Sequence, residues 1–320
     1  MPTDAPIDDA AEAVTYPGAR PPDRRRDVVS HGIRLAVHEW GDPEAPPLAL
    51  MHGGFDFART FDVFAPLLAD AGWRVVAWDQ RGHGDSEHAA LYSWAADLRD
   101  MVTVLGTLGP GPVPIVGHSK GGSLSVHLAA SLPQYVSRLV NLDGLPSRRN
   151  SPDVPDNQRT KLLAGELAGW LDFRRERADA VRKAGTIDEL ADRRGRMNPR
   201  LSREWLRYLV TVGARRDPDG WRWKIDASLR LGGFGPWRPE WAMARLPGIG
   251  VPLLAVLGQQ PEQMGWATQP EDIEPFLPSG GRLVSYDDVG HFVHIEQPHR
   301  VAELVLDFLG DPKASREVRP

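Results

Sequence analysis

The residue of this sequence best suited to covalent chemistry is a serine that has a glycine two positions before it and another two positions after it. The pentapeptide GHSKG at 117–121 places Ser119 after a short apolar run and before an amphipathic stretch that predicts a helix. The glycines permit a sharp strand-to-helix turn, which exposes the serine hydroxyl above a sheet edge. The same turn aims the N–H of Lys120 at an oxyanion formed there. The pattern predicts Ser119 as a nucleophile, and a glycine turn with an incidental serine is the alternative.

Two other segments could complete such a site. HGGF at 52–55 follows an apolar, strand-like run, where a second oxyanion donor is expected. We assign that donor to the N–H of Gly54, with the N–H of Phe55 as the alternative. Near the carboxyl end, His291 lies in a loop between the last predicted strand and the last predicted helix. A neutral imidazole there can take the Ser119 proton and return it to a leaving group, which predicts His291 as the general base.

These motifs resemble the signatures of the α/β-hydrolase superfamily. DQRGHGDS at 79–86 and GHFVHIEQP at 290–298 agree with the resemblance, and all the motifs follow one another in the family's order. The resemblance implies an α/β fold with a mostly parallel eight-stranded sheet, flanked by helices and carrying a helical cap after the sixth strand. The core would be 26–146 and 244–310, and the cap would be 147–243.

The periodicity of the chain agrees with this organisation. Short apolar runs alternate with longer amphipathic stretches, as in βαβ units, except between about 147 and 243. That segment has few strand signals, many arginines and six tryptophans, which predicts a helical insertion. Residues 1–25, rich in Pro, Ala and Asp, predict a flexible arm, and residues 311–320 predict a flexible tail.

The acidic member of the triad departs from the family's commonest pattern. Most relatives carry it shortly after the seventh strand, where this sequence has Gln-Gln-Pro at 259–261. Glutamine cannot carry the charge that stabilises an imidazolium. Asp143, after the sixth strand, and Glu262 are the two candidates, and we prefer Asp143 because catalytic groups gather at the carboxyl edge of such sheets. This placement resembles a minority of the family, including certain haloalkane dehalogenases and the zearalenone lactonases.

Aromatic residues indicate the character of the substrate pocket. The tryptophans of the predicted cap exceed what a small lid needs for its own packing. We expect Trp221, Trp223 and Trp237 to line a roomy aromatic pocket together with Phe55. Lys120 directly follows the nucleophile, and two positions are expected for its side chain: paired with a carboxylate of the cap, or extended into solvent.

Composition narrows the remaining classes of function. The formal net charge of -5 over 320 residues does not favour nucleic acid or an anionic membrane as a partner. Cysteine is absent, the ten histidines lack metal-ligand spacing, and no nucleotide-binding glycine pattern occurs, so no metal and no cofactor are predicted. No membrane span and no secretory signal are recognised, so we expect a soluble, cytoplasmic protein and leave a homo-oligomer open.

Hydrolysis of a carboxylic ester or lactone of a bulky hydrophobic small molecule, through an acyl-enzyme on Ser119, is the expected function. A macrocyclic lactone of the zearalenone type is the most specific substrate that the resemblance implies. Two alternatives stay open. The same triad could cleave an amide or a carbon–carbon bond, or the fold could bind a ligand without catalysis, which the glutamines at the usual acid position favour.

Overall fold

The computed structural model describes residues 14–90, 92–145, 156–229 and 243–312. Its strands are β1 Arg24–Ser30, β2 Ile33–Trp40, β3 Pro47–Met51, β4 Arg74–Trp78, β5 Val113–His118, β6 Val136–Leu142, β7 Ala214–Asp217, β8 Gly220–Trp223, β9 Leu253–Gly258 and β10 Arg282–Tyr286. Eight of them form one sheet in the order β1-β2-β4-β3-β5-β6-β9-β10. Strand β2 runs antiparallel to both of its neighbours, and the other neighbouring pairs are parallel. The predicted eight-stranded, mostly parallel sheet is confirmed.

Helices cover both faces of this sheet. They are α1 Phe64–Asp70, α2 Trp94–Gly106, α3 Lys120–Ser131, α4 Asp156–Glu176, α5 Ile187–Met197, α6 Arg203–Gly213, α7 Pro270–Ile273, α8 Val293–Glu296 and α9 Pro298–Leu309. Helices α2 and α3 pack on one face, and α1 and α9 pack on the other. None of the helices in the described ranges combines the length and the continuous apolar character that a membrane-spanning helix requires.

The central strands are apolar on both sides because both faces are covered. In β3, Ala49 and Met51 belong to the cluster beneath α2 and α3, whereas Leu48 and Leu50 belong to the cluster beneath α1 and α9. Successive side chains of a strand point to opposite faces, so a strand buried on both sides has no polar alternation. The polar residues therefore collect beyond the strand ends, where the candidate site lies.

The chain between β6 and β9 contains an insertion, of which the structure describes mainly residues 156–229. Helices α4, α5 and α6 agree with the predicted helical character, but β7 and β8 form an antiparallel hairpin that was not predicted. The strands have four residues each. Because Arg215 and Arg216 are exposed, β7 shows no apolar alternation, and the apolar alternation around β8 is too short to mark a hairpin by itself. A salt bridge between Arg222 and Asp217, at 2.8 Å, joins its two strands.

The predicted N-terminal arm is shorter than expected from the sequence. Residues 14–25 lie against the body of the protein, and β1 begins at Arg24. The ring of Tyr16 packs edge-on against Trp205, with 4.8 Å between centroids, and the indole N–H of Trp40 donates to the C=O of Arg20 at 3.0 Å. These contacts give residues 14–25 partners in the body of the protein, and the flexibility expected for them stays a prediction. Residues 1–13 and most of the predicted tail, 313–320, lie outside the described residues.

Candidate active site

Ser119 occupies a strained turn between β5 and α3, at the carboxyl edge of the sheet. Its φ of 51° and ψ of -120° lie in a region that residues other than glycine rarely adopt. The flanking glycines make the turn feasible: a Cβ on Gly117 would lie 2.6 Å from the carbonyl oxygen of Gly121, and a Cβ on Gly121 would lie 2.4 Å from that of Met51. The strand, turn and helix that the GxSxG pattern predicts are all present.

Gly121→Ala is expected to destabilise the protein by about 3 kcal/mol, because its Cβ would overlap backbone of β3 that cannot move independently. Chemical denaturation monitored by circular dichroism measures the change. Gly106→Ala is the control, since a Cβ there meets nothing within 4 Å. This control should keep or slightly raise stability. Equal denaturation midpoints for the two variants would contradict the account of the turn.

The imidazole of His291 lies between the serine and a carboxylate. Its Nε2 is 3.0 Å from Oγ of Ser119, and its Nδ1 is 2.5 Å from Oδ2 of Asp143. His291 and Asp143 are 3% and 4% exposed, so this hydrogen bond is shielded from water. With Nδ1 donating to the carboxylate, Nε2 can accept the serine proton. Three side chains that are distant in the sequence therefore meet at one sheet edge.

The position of Asp143 is set by the end of β9. Its backbone N–H donates to the C=O of Val256 at 2.8 Å, and its Oδ1 accepts from the N–H of Gly258 at 3.2 Å. A φ of 46° turns the chain out of β6 at this residue. Because Oδ1 is held by the neighbouring strand, Oδ2 faces the ring of His291. The carboxylate is thus oriented by the sheet itself.

Glu262, the other candidate acid, contacts the same histidine at a different atom. Its Oε2 accepts from the backbone N–H of His291 at 2.8 Å. Burial raises the pKa of its carboxyl. Since Nδ1 of the ring is already bonded to Asp143, the geometry gives Glu262 the task of holding the loop that carries His291. Of the two carboxylates considered from the sequence, Asp143 is the one beside the ring.

His118 connects the turn at Ser119 to the loop that carries His291, a contact that sequence reasoning missed. Its Nε2 donates to the C=O of His291 at 2.9 Å, and its ring packs against His294 with 4.5 Å between centroids. Burial lowers the pKa of His118 well below its usual range and that of His294 to about 3. Both rings therefore stay neutral and do not repel an imidazolium at His291. The place of His118 directly before the nucleophile is the signal that could have indicated this role.

The loop after β3 distinguishes between the two predicted oxyanion donors. The N–H of Phe55 donates to Nε2 of His83 at 3.2 Å, so it is already engaged. Among the described residues, the N–H of Gly54 has no hydrogen-bond partner. Gly53 brings this loop against the elbow, since a Cβ on it would lie 3.2 Å from Cβ of Ser119. The geometry favours Gly54 over Phe55 as a donor toward a substrate on the serine.

The side chain of Lys120 is buried, and both positions expected for it are wrong. Its Nζ lies 2.9 Å from Oδ2 of Asp97, and the two side chains are 7% and 4% exposed. Asp97 belongs to α2, so the partner is in the core and not in the insertion. A buried ammonium requires an anion beside it, which α2 supplies. Burial raises the pKa of Asp97, and the charge of Lys120 acts in the opposite direction.

Lys120→Met is expected to lower the free energy of unfolding by about 3 to 5 kcal/mol, because it leaves the buried Asp97 without its counter-ion. The backbone N–H at position 120 is unchanged by this substitution. Arg282→Met is the matched control, since it breaks a pair with Asp307 whose side chains are 47% and 68% exposed. An exposed pair contributes at most about 1 kcal/mol. If urea denaturation shows equal losses of unfolding free energy for the two variants, the buried pair of Lys120 and Asp97 is not important for stability.

Two of the predicted pocket aromatics lie in or near the loop after β3. Phe55 immediately follows Gly54, and both Phe55 and Trp223 pack against one apolar cluster, formed by Ala89, Tyr92, Trp170, Ile225 and Leu229. The cluster joins the chain just before α2, helix α4 and the chain just after β8, so the insertion contributes an apolar wall next to the loop after β3. Trp237 lies outside the described residues.

Trp221 is not brought to the same place. It lines a surface cavity of about 410 Å³ together with Tyr16 and Tyr208, and no member of the Ser119 site lines this cavity. Backbone hydrogen bonds between Trp221 and Gly185, at 2.7 and 3.0 Å, hold this part of β8 against the start of α5. The prediction of Trp221 as a pocket residue therefore disagrees with the structure.

Two buried residues and one partly buried residue near the loop after β3 carry atoms that could ligate a metal. Ligand atoms of His38, Asp79 and Asp85 lie within 4.8 Å of one another. The carboxylate of Asp79 accepts hydrogen bonds at 2.7 Å from the N–H groups of Ala58 and Asp85, and Nζ of Lys224 lies 2.7 Å from Asp85. These contacts hold together the loops near the turn at Ser119, and we assign this structural role to His38, Asp79 and Asp85.

The strand order, together with a sharp turn at Ser119 directly after β5, is that of an α/β-hydrolase fold. A family model described as alpha/beta hydrolase fold matches residues 46–298. The chain therefore belongs to the α/β-hydrolase family, as its motifs predicted.

Curated relatives cover most of the chain. Esterase Rv0045c of Mycobacterium tuberculosis is 28% identical over 283 residues, covering 86% of each protein. The sn-1-specific diacylglycerol lipase ABHD11 of Mus musculus is 27% identical, covering 84% of this chain and 82% of that protein. Among solved structures, hypothetical protein PA1622 of Pseudomonas aeruginosa PAO1 has a TM-score of 0.74 at 28% identity, covering 89% of this chain and 99% of its own. The protein is a hydrolase of the esterase and lipase type.

Proposed function

We propose that this hydrolase cleaves a carboxylic ester or lactone through an acyl-enzyme on Ser119. The observation that carries the proposal is the His291 ring, which lies 3.0 Å from Oγ of Ser119 and 2.5 Å from Asp143. A hydroxyl becomes a competent nucleophile when a base oriented by a third group can remove its proton. The esterase and lipase names of the relatives support the ester chemistry.

Acylation follows from the positions of these atoms. Oγ of Ser119 bonds to the carbonyl carbon while its proton passes to Nε2 of His291. The carbonyl oxygen takes up the electron pair and becomes an oxyanion, which the N–H groups of Gly54 and Lys120 stabilise. Asp143 stabilises the imidazolium. When the carbonyl re-forms, the bond to the alkoxide breaks, and the alkoxide takes its proton from His291.

Deacylation repeats the same transfers with water. The imidazole of His291 takes a proton from a water molecule, whose oxygen bonds to the acyl carbon. The bond between that carbon and Oγ of Ser119 then breaks, and Oγ takes a proton from the imidazolium. An ester gives an acid and an alcohol. A lactone gives a single hydroxy acid, because its alkoxide remains attached to the acyl group.

A bulky, hydrophobic substrate fits the surroundings of the serine. Phe55 and the Trp223 cluster form an apolar wall beside the proposed oxyanion donor Gly54. Aromatic walls bind large apolar groups by burying their surface. The most specific substrate that we propose is a macrocyclic lactone such as zearalenone. Two observations support this choice, the position of the acid after the sixth strand and the apolar wall.

Two other functions were considered, hydrolysis of a different bond and ligand binding without catalysis. An amide or carbon–carbon hydrolase would use the same three side chains, so only turnover distinguishes it. The non-catalytic alternative relied on glutamines at the usual acid position. Because Asp143 lies beside the imidazole, that argument no longer applies.

Substrate profiling of the purified protein tests the proposal. We expect turnover of p-nitrophenyl esters with long or aromatic acyl groups, opening of macrocyclic lactones, and little turnover of the matched anilide. A fluorophosphonate should label the wild type and not Ser119→Ala. Faster cleavage of the anilide or of a carbon–carbon substrate would contradict the ester assignment. A wild type that neither turns over nor labels would contradict catalysis by Ser119.

A further inference from the structure

An arginine of the insertion reaches the loop that we assign to the oxyanion. Arg194, in the last turn of α5, donates from Nη1 to the C=O of Phe55 at 2.9 Å and from Nη2 to Oδ1 of Asp56 at 3.3 Å. The Arg194 side chain is 14% exposed and that of Asp56 is 1% exposed. The guanidinium also lies over the ring of Phe292, 5.8 Å from its centroid. One cation of the insertion therefore contacts both the oxyanion loop and the residue that follows His291.

The backbone at Phe55 needs such support. Its φ of 59° is left-handed, which is unfavourable for a bulky residue and persists only where the surroundings impose it. His83 anchors its N–H from the core side, and Arg194 anchors its C=O from the insertion side. With both groups held, the peptides next to Phe55 cannot turn. The adjoining Gly54 then keeps the direction of its own N–H.

Charge gives the contact its strength. Burial raises the pKa of the Asp56 carboxyl to about 6, and the charge of Arg194 acts against that rise. Oδ2 of Asp56 has no hydrogen-bond partner among the described residues, so Arg194 is the main compensation for this carboxylate. A buried carboxylate and a nearly buried guanidinium hold each other in place, because separating them would leave a charge uncompensated.

We propose that Arg194 is a positioning residue, through which the insertion holds the oxyanion loop in its catalytic conformation. This inference rests on the proposed function, since it gives the N–H of Gly54 a task in the transition state. It makes the insertion part of the catalytic machinery as well as a wall of the pocket. A loop that drifts by about an ångström can cost about a hundredfold in rate while binding is retained.

Steady-state kinetics of Arg194→Ala tests this role. We expect kcat to fall about tenfold to a hundredfold with KM changed by less than about threefold, because the loop acts in the transition state. Added methylguanidinium should restore part of the lost kcat. Arg194→Lys should lose activity as well, since one ammonium lacks the fork that reaches two acceptors. It keeps a charge beside Asp56, so it decides the test if Arg194→Ala does not fold.

Arg193→Ala is the matched control, one position earlier on the same helix. Arg193 donates to the C=O groups of Lys183 and Ala184, both at 2.9 Å and both within the insertion. This variant should keep the wild-type kcat and show no response to methylguanidinium. Wild-type kcat in Arg194→Lys, an equal kcat loss in Arg193→Ala, or a folded Arg194→Ala without rescue would overturn the inference. Lack of turnover and labelling in the wild type would instead overturn the proposed function.

Discussion

Asp143→Asn is expected to lower kcat about 10⁴-fold while the protein stays folded. The carboxylate of Asp143 accepts from Nδ1 of His291 at 2.5 Å and from the N–H of Gly258 at 3.2 Å. An amide that keeps the Gly258 contact turns its NH₂ group toward Nδ1. The ring then carries its proton on Nε2, which is the wrong tautomer for accepting the proton of Ser119. Steady-state turnover of an aromatic ester, with circular dichroism as the check on folding, measures the effect.

Glu262→Gln is the matched control for this substitution. It is the same carboxylate-to-amide change at the other acid near His291. The amide oxygen can still accept from the backbone N–H of His291, which Glu262 contacts at 2.8 Å. We therefore expect kcat to stay within about threefold of the wild type. The reverse pattern, with Glu262→Gln inactive and Asp143→Asn active, would show that the acid is assigned to the wrong residue.

His291→Ala is expected to have a still larger effect, a loss of about 10⁵ to 10⁶ in kcat. Without the imidazole, no group at 3.0 Å from Oγ of Ser119 can remove its proton. The remaining rate enhancement would come from the oxyanion donors and from binding. Pre-steady-state measurement should show that acylation itself is slowed. His299→Ala, an exposed histidine of α9, should behave as the wild type.

The double variant His291→Ala/Asp143→Asn sharpens this expectation. Asp143 acts only through the ring, so removing it from a protein that already lacks the ring should cost nothing further. We expect the double variant to match His291→Ala within about threefold. A further loss of orders of magnitude would mean that Asp143 acts on the substrate or water directly.

Strong local patterns made much of the sheet predictable. The sequence analysis predicted alternating strands and helices, and the strands at 47–51, 136–142 and 282–286 and the helices at 120–131 and 298–309 follow that alternation. Each is a clear apolar run or amphipathic period, bounded by glycine, proline or polar residues. The motifs at 52–55, 117–121 and 290–298 follow strands, and the carboxyl ends of parallel strands meet at one edge of a sheet. The loops of Ser119 and His291 could therefore be predicted from the sequence to lie together.

Features that depend on contacts distant in the sequence were not predictable. From the sequence, Asp143 was preferred over Glu262 and Gly54 over Phe55, but both alternatives stayed open. The contacts that distinguish them are the register of β6 against β9 and the hydrogen bond between Phe55 and His83, and the sequence shows neither. The burial of Lys120 depends on Asp97, which lies on another helix. Nothing near either residue in the sequence marks the other, because side-chain pairing is set by how elements pack.

The contact between Arg194 and Phe55 is of the same kind. It joins residues separated by 139 positions, and the sequence around Arg194 indicates only an amphipathic helix with charged residues. The many arginines of the insertion gave no reason to select this one. Its role follows only from the acceptors at the end of its side chain.

The central claim is that a covalent bond forms between the substrate acyl group and Ser119. Rapid-quench mass spectrometry with an activated ester tests it directly. We predict an acyl adduct on the peptide that contains Ser119, formed in a burst faster than steady-state turnover and absent from Ser119→Ala. An adduct confined to any other residue, or undiminished turnover by Ser119→Ala, would contradict the claim.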